Sequence, residues 1–248
     1  MAVITESMLR TLQREGRLTR LVLRQGEQLT PAAADFLREK GIPVERGPMR
    51  IPVGVSNRHV HLSPEHVKLL FGPHHELTPL RELSQPGQFA AHEQVTLKGP
   101  RGRIPGVRVL GPSRGDTQVE ISKTDGHTLG IHPPVRLSGD IEGTPGITLH
   151  GPKGSVTIER GLIVAKNHVH LSPEEAAMMQ VKEGDTIMLR ADGERKVMFA
   201  DVAVRVSPRF RMDFHIDTDE ANAAGLRTGD TVELVGVNGV LFSVQKRR

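Results

Sequence analysis

His59-Val60-His61-Leu62-Ser63-Pro64-Glu65 recurs, residue for residue, as His168-Val169-His170-Leu171-Ser172-Pro173-Glu174. Seven consecutive identities 109 residues apart mark a duplication of domain size rather than a solenoid repeat. In a strand, side chains alternate between faces, so His59 and His61 project together, as do His168 and His170. Ser then suits a helix N-cap, Pro the first helical turn, and Glu the positive helix end. Each histidine pair is therefore expected at the end of a strand just before a short helix, the first of which should stop near Gly72.

Smaller echoes extend the duplication. Thr96-Leu97-Lys98-Gly99-Pro100-Arg101-Gly102 resembles Thr148-Leu149-His150-Gly151-Pro152-Lys153-Gly154, and both read as hairpin turns. Gly184-Asp185-Thr186 and Gly229-Asp230-Thr231 each precede an apolar run. From residue 51 onward, short β-branched runs alternate with Gly/Pro turns. They are Val95–Leu97, Val107–Leu110, Val119–Ser122, Ile147–Leu149, Val156–Ile158, Ile163–Ala165, Thr186–Leu189, Val202–Val206, Thr231–Val235 and Val240–Val244. The fold expected is mainly β: two related small β-barrels with short helices, plus an N-terminal helical extension.

That extension covers residues 1–46. Ile4, Met8, Leu9 and Leu12 follow helical spacing after a possible Thr5 cap. A second helix is punctuated by Thr30, Pro31 and Gly41, and Leu18–Leu23 between the two can form a short strand. Gly47-Pro48 breaks the chain. Ile4–Leu12 is compatible with an amphipathic helix, to which the family resemblance described below would assign targeting; a docked helix or a small accessory domain including Thr30–Lys40 is the alternative.

Composition narrows the function classes. The 248 residues are 37% apolar and 25% charged, without a run long enough to span a membrane. The start lacks the pattern of a secretory signal, and cysteine is absent, which removes disulfides and thiolate ligands and fits a cytoplasmic protein. Of the net charge of +4, residues 1–50 carry +3, with nine Lys/Arg against six Asp/Glu. With no Trp or Tyr and seven Phe, this excess reads as a solvated face rather than a nucleic-acid surface.

Two imidazoles at i and i+2 can approach one metal at about 2.0–2.1 Å. Surface strand histidines are common, but the recurrence of both histidines is not explained by helix capping. Four imidazoles without sulfur suit zinc, or less specifically cobalt, nickel or iron. His215, between the apolar Phe214 and Ile216, and Glu120, between Val119 and Ile121, are further candidate ligands. Glu120 can equally face solvent. His66, His74, His75, His92, His127, His132 and His150 fall in helix or turn settings and read as surface or local hydrogen-bonding groups. Arg114 sits in the turn Gly111–Asp116, where it either points into solvent or grips a phosphate with its planar fork. No Walker loop, dinucleotide fingerprint, Gly-x-Ser-x-Gly elbow or cysteine nucleophile is present, so any catalysis would rest on metal.

Taken together, these motifs resemble the phosphate propanoyltransferase family, the phosphotransacylases of bacterial microcompartments, over roughly residues 50–236. The resemblance is carried by Gly54-Val55-Ser56-Asn57-Arg58-His59-Val60-His61-Leu62-Ser63, Gly87-Gln88-Phe89-Ala90, Val109-Leu110-Gly111-Pro112-Ser113-Arg114 and Thr117-Gln118-Val119-Glu120. Arg136-Leu137-Ser138-Gly139, Asn167-His168-Val169-His170-Leu171-Ser172 and Met212-Asp213-Phe214-His215 add to it. It implies residues 47–57 plus 166–248 in one barrel and 58–165 in the other, around two zinc ions per chain. His59 and His61 would hold one ion; Glu120, His168, His170 and His215 would hold the other. Arg114 would bind phosphate beside Gln88 and Ser138, and Ser56, Asn57, Asn222 and Lys98 would contact coenzyme A.

The implied reaction is reversible transfer of a short acyl group, propanoyl or acetyl, between coenzyme A and phosphate, giving acyl phosphate. The resemblance also implies microcompartment shell or cargo proteins as partners, and short exposed strand edges are compatible with a homo-oligomer. A dinuclear zinc hydrolase of thioesters or phosphoesters, and a metal-stabilised scaffold without activity, are the competing classes.

Overall fold

A computed structural model describes residues 2–23 and 27–242. The chain divides into two compact units, residues 1–50 and 51–248.

The first unit contains β1 (Ala2–Ile4), α1 (Glu6–Arg14), β2 (Leu21–Leu23), β3 (Glu27–Leu29), α2 (Pro31–Glu39) and β4 (Val44–Arg46). Thr5 and Thr30 cap the helices as the sequence predicts, each side chain accepting from the N3 amide. The strands join as two parallel pairs, β1 with β3 and β2 with β4. The extension is thus a small α/β unit, with strands added to both expected helices. Leu9, Leu18, Leu21, Ala33, Phe36 and Leu37 form its core. A nine-residue helix has little stability alone. Burial of Leu9, worth about 1.5–3 kcal/mol, is what holds α1.

The second unit begins with β5 (Arg50–Ser56), β6 (His59–His61), α3 (Pro64–Phe71), β7 (Pro79–Glu82), β8 (Phe89–Lys98) and β9 (Arg103–Gly111). It continues with β10 (Gln118–Glu120), α4 (Lys123–Leu129), β11 (Val135–Arg136), β12 (Ile147–His150), β13 (Ser155–Ile158) and β14 (Leu162–Ala165). Then come β15 (His168–Leu171), α5 (Pro173–Met179), β16 (Thr186–Ala191), β17 (Val197–Val206), β18 (Asp213–Asp217), α6 (Thr218–Ala224), β19 (Thr231–Val237) and β20 (Val240–Leu241). The expected run Val240–Val244 continues past residue 242, outside the described residues.

Two sheets result. β16, β17, β15, β18, β5 and β19 follow one another, and β16 pairs back to β19, closing a six-stranded barrel with β20 at its margin. The other nine strands, β6 to β14, form a curled half-barrel that stays open. Closure is what distinguishes them: only the first brings its end strands into register. The half-barrel buries Val60, Leu62, Val95, Val109, Val119, Leu149 and Leu162 in one apolar cluster.

The hairpin echo has a physical reason. Gly99 and Gly151 each bond back to the glycine three residues on, closing the β8–β9 and β12–β13 turns. Arg101 N and Lys153 N then bond the terminal carbonyls of Leu129 (α4) and Leu70 (α3), at 3.1 and 3.0 Å. A Cβ at Gly99 would stand 2.3 Å from Leu129 O, and one at Gly151 2.5 Å from Leu70 O, so only glycine admits the helix end. Each turn therefore seats a helix C-terminus and offers it a basic residue.

The two sheets are stitched directly. Buried Gln85 exchanges two hydrogen bonds with the Arg211 backbone, both 3.2 Å. Thr124 N in α4 donates to Asp219 in α6 at 2.9 Å.

Candidate metal and substrate site

The alternation within the repeated motif does what a strand requires. Val60, Leu62, Val169 and Leu171 are fully buried in the cores, and the intervening histidines turn the other way, into a cavity of about 1170 Å³. Ser63 and Ser172 cap α3 and α5, with Pro64 and Pro173 at the helix starts. Thr117 pins the first corner, accepting from Ser63 N at 2.9 Å and bonding His66 Nδ1 at 2.7 Å.

Pairing between strands extends the duplication well beyond seven residues. β6 lies antiparallel to β10, with Glu120 opposite His59 and Gln118 opposite His61. β15 lies antiparallel to β18, with His215 opposite His168 and Asp213 opposite His170. Glu120 and His215 are thus equivalent positions, as are Gln118 and Asp213. The helices that follow repeat as well. Ser122 caps α4 in a capping box with Asp125, and Asp217 caps α6 in a capping box with Glu220. The residue before each first histidine then grips the N3 carboxylate of that partner helix. The Arg58 guanidinium takes Asp125 at 2.8–2.9 Å, and Asn167 Nδ2 donates to Glu220 at 2.6 Å. Each half is two strand–cap–helix corners tied together.

Two triads of donor atoms come together: His59, His61 and Glu120, and His168, His170 and His215. Their tautomers are fixed by neighbours. His59 Nδ1 faces the Asn57 carbonyl at 2.9 Å, and His168 Nδ1 faces the Lys166 carbonyl at 2.8 Å. A carbonyl can only accept, so each Nδ1 carries a proton and Nε2 is the nitrogen left to face the cavity. His215 Nε2 contacts Asp213 Oδ2 at 3.0 Å. Gln118 Nε2 donates to Glu120 at 2.6 Å and to Ser138 Oγ at 2.9 Å, while its oxygen accepts from Gly139 N at 2.8 Å.

The electrostatics keep three of the imidazoles and the carboxylate in their metal-binding forms, with His59 the exception. Burial, aided by the neighbouring His215, holds His168 near pKa 4 and His170 near 2, so both are neutral at pH 7. Burial, with His59 and Arg114 close by, also holds His61 well below its ordinary value. For Glu120, burial works against ionisation, but the adjacent His59 outweighs it and keeps the carboxyl well below the usual range. For His59 burial opposes the charge, and Glu120 at 3.3 Å reverses this, raising its pKa. Glu120 also acts on His168 and His170, so its charge reaches both triads.

The residues fit a metal on structural grounds. They offer five buried or partly buried imidazoles and a carboxylate, oriented by outer partners, and His170 Nδ1 is buried with no hydrogen-bond partner. In such a set Nε2 of His59 and Nε2 of His168 are the natural donors.

The other sequence candidates divide. Ser56, Asn57, Gln88, Arg114 and Ser138 line the same cavity. Arg114 is anchored by its own amide on Leu62 O at 3.0 Å, and desolvation, with Arg205 nearby, lowers its pKa. Lys98 and Asn222 do not line it. Lys98 ends β8 roughly 25 Å of strand beyond Ala90, which does. Asn222 is exposed on α6. His75 is spent locally on Glu93 at 2.7 Å.

Gln118, Asp213, Arg58, Asp125, Asn167, Glu220 and Arg205 were not singled out from sequence. A signal for four of the sites exists: His-x-His, Gln-x-Glu, His-x-His and Asp-x-His each stand two residues before a Ser or Asp cap. Period-two polar pairs ahead of a cap would have flagged all four strands.

Comparison with known proteins agrees with this architecture. The family model described as phosphate propanoyltransferase matches residues 52–227. A protein of Thermotoga maritima named phosphate propanoyltransferase is 56% identical over 186 residues, covering 75% of this chain and 89% of the relative. One of Citrobacter freundii, with the same name, is 52% identical over 176 residues, 71% of this chain and 83% of the relative. One of Rhodobacter capsulatus, again so named, is 47% identical over 201 residues, 81% and 94% respectively. By its sequence over residues 52–227, this chain belongs to the phosphate propanoyltransferase family.

Proposed function

We propose that this chain moves a propanoyl or acetyl group reversibly between coenzyme A and inorganic phosphate, at a site that holds two zinc ions. The observation that carries the reading is the meeting, around one cavity, of two oriented imidazole sets with an arginine fork that makes no ion pair among the described residues. His59 and His61 serve one ion and His168, His170 and His215 the other. Glu120 stands with the first set and acts electrostatically on both. Nitrogen and carboxylate donors without sulfur suit zinc. When bound, the ions supply Lewis acidity at the thioester carbonyl.

The chain's own groups do the rest. Arg114 grips phosphate oxygens and offsets the charge that the nucleophile brings beside Glu120. Gln88 and Ser138 line the same cavity and would help to orient it. Ser56 and Asn57, at the end of β5, line the side where the coenzyme A chain enters. A phosphate oxygen bonds to the acyl carbon, the carbon–sulfur bond breaks, and coenzyme A leaves as thiolate.

The test combines metal analysis with thiol release from propanoyl- and acetyl-coenzyme A, with and without phosphate. Release that depends on phosphate and yields acyl phosphate supports transfer; equal release without it indicates a hydrolase and ends this reading. Arg114→Ala should lose about 10²-fold or more in turnover while keeping its metal. Undiminished turnover would remove Arg114 from the reaction.

A further inference from the structure

The geometry points to Arg205 as a second arginine of the oxyanion site, holding the phosphate substrate jointly with Arg114. This rests on the transfer reading above and assigns a residue to its acceptor pocket.

Arg205 lies on β17, in register with His170 on the adjacent parallel strand, and faces the same cavity as Arg114. The duplication makes this position informative. In the other half the corresponding neighbour, opposite His61 on β9, is Leu110. The repeat thus places an apolar side chain at one copy and a cation at the other, beside the histidine triad. Arg205 is partly buried, and its Nη1 reaches the Ser138 carbonyl at 3.4 Å. That turn is itself fixed by Gln118, which binds Ser138 Oγ and Gly139 N. The guanidinium is thereby held over the cavity from the bank opposite its own strand.

Charge is what makes the arrangement need an anion. Among the described residues, neither Arg114 nor Arg205 makes an ion pair with a carboxylate. Other arginines of this unit do: Arg58 with Asp125, Arg160 with Glu142, Arg190 with Asp192 and Glu233. Burial lowers the Arg114 pKa, the Glu120 charge works against this, and Arg205 is close enough to lower it further. Glu120 offsets part of the repulsion at Arg114 but pairs with neither guanidinium, so two cations partly out of water are still best satisfied by a further anion between them. A tetrahedral oxyanion of charge near −2 matches two planar forks better than a thioester carbonyl or a water molecule does. A second fork also gives phosphate an advantage over water as the acceptor.

The test uses the full chain as purified, its metal content measured, with Arg205→Ala and Arg205→Lys beside it. Inorganic phosphate binding is read by calorimetry, and KM for phosphate and for propanoyl-coenzyme A by thiol release. Arg205→Ala should weaken phosphate binding about tenfold or more, and leave KM for propanoyl-coenzyme A within about twofold. Arg205→Lys, with charge but no fork, should fall between. Metal content and melting temperature should hold in both. Phosphate affinity unchanged in Arg205→Ala would overturn the inference. So would equal losses for both substrates, or metal loss in both variants, which would mark a structural role. The direct binding arm separates the two readings. A wild-type protein that binds phosphate through Arg205 yet transfers no acyl group sinks the proposed function and leaves this site standing. Transfer with no dependence on Arg205 does the reverse.

Discussion

Gly54 lies on β5 opposite His215, in a parallel register that puts its α-carbon against the Asp213 carboxylate. A Cβ there would stand 2.8 Å from Asp213 Oδ2, 3.1 Å from Oδ1 and 3.2 Å from Cγ. Gly54→Ala therefore requires the carboxylate to retreat by roughly half an ångström or more to reach ordinary contact. Its hydrogen bond to His215 Nε2 is 3.0 Å now, and a shift of that size carries it beyond useful length. A charge-assisted hydrogen bond is worth about 1.5–3 kcal/mol, which converts to about 10–100-fold in affinity if the energy is spent orienting a ligand. That range agrees with the usual cost of losing an outer-shell partner. The backbone itself has room, since the nearest atoms belong to a side chain, so global stability should fall by no more than about 1 kcal/mol. The assay is metal affinity by chelator competition, with urea unfolding in parallel. Metal affinity within twofold of wild type would refute the claim that Asp213 positions His215. A loss of several kcal/mol in stability would show instead that Gly54 is needed for the strand alone.

Two further outcomes follow from the site and the domain division. His168 sits near pKa 4 against an ordinary 6.5, so between those values the unfolded chain binds a proton that the folded chain refuses. In metal-stripped protein this stability is complete above pH 6.5 and is lost as pH falls toward 4, by ~3 kcal/mol for His168 alone; urea midpoints that do not change between pH 7.5 and 4.5 would contradict it. A chain beginning at Ile51 retains every residue of both triads and both arginines, so its metal content and phosphate-dependent turnover should stay within about twofold of the full chain. In the same truncation, unchanged loading into a microcompartment would discard a targeting role for residues 1–46.

What sequence reveals here depends on whether a feature is local. The caps at Thr5, Thr30, Ser63 and Ser172 were legible because a cap is decided by the residue and the three that follow it. Both histidine pairs were legible for a similar reason, since period two is a property of one strand. The four-residue strand β7 was not, because all its side chains are exposed and it carries no alternation to read. Nor was the company Glu120 keeps. Whether it faces His59 or His168 is set by strand order, and β10 happens to pair with β6.

The deeper duplication was invisible for a different reason. Its first corner kept seven identities, while its second kept only a pattern: Gln118-Val119-Glu120-Ile121-Ser122 against Asp213-Phe214-His215-Ile216-Asp217. The pattern preserves what folding demands, which is apolar residues toward the core and a cap at the helix start. It leaves the cavity-facing positions free to diverge. They have done so asymmetrically, with glutamate against histidine at one position, leucine against arginine at the next strand, and isoleucine against glycine where β14 and β5 flank the ligand strands. A symmetric scaffold with two identical triads would bind two ions alike and offer substrate no direction. Several departures from the repeat do face the cavity, Glu120 against His215 and Leu110 against Arg205, so its two sides differ in charge where the two copies disagree.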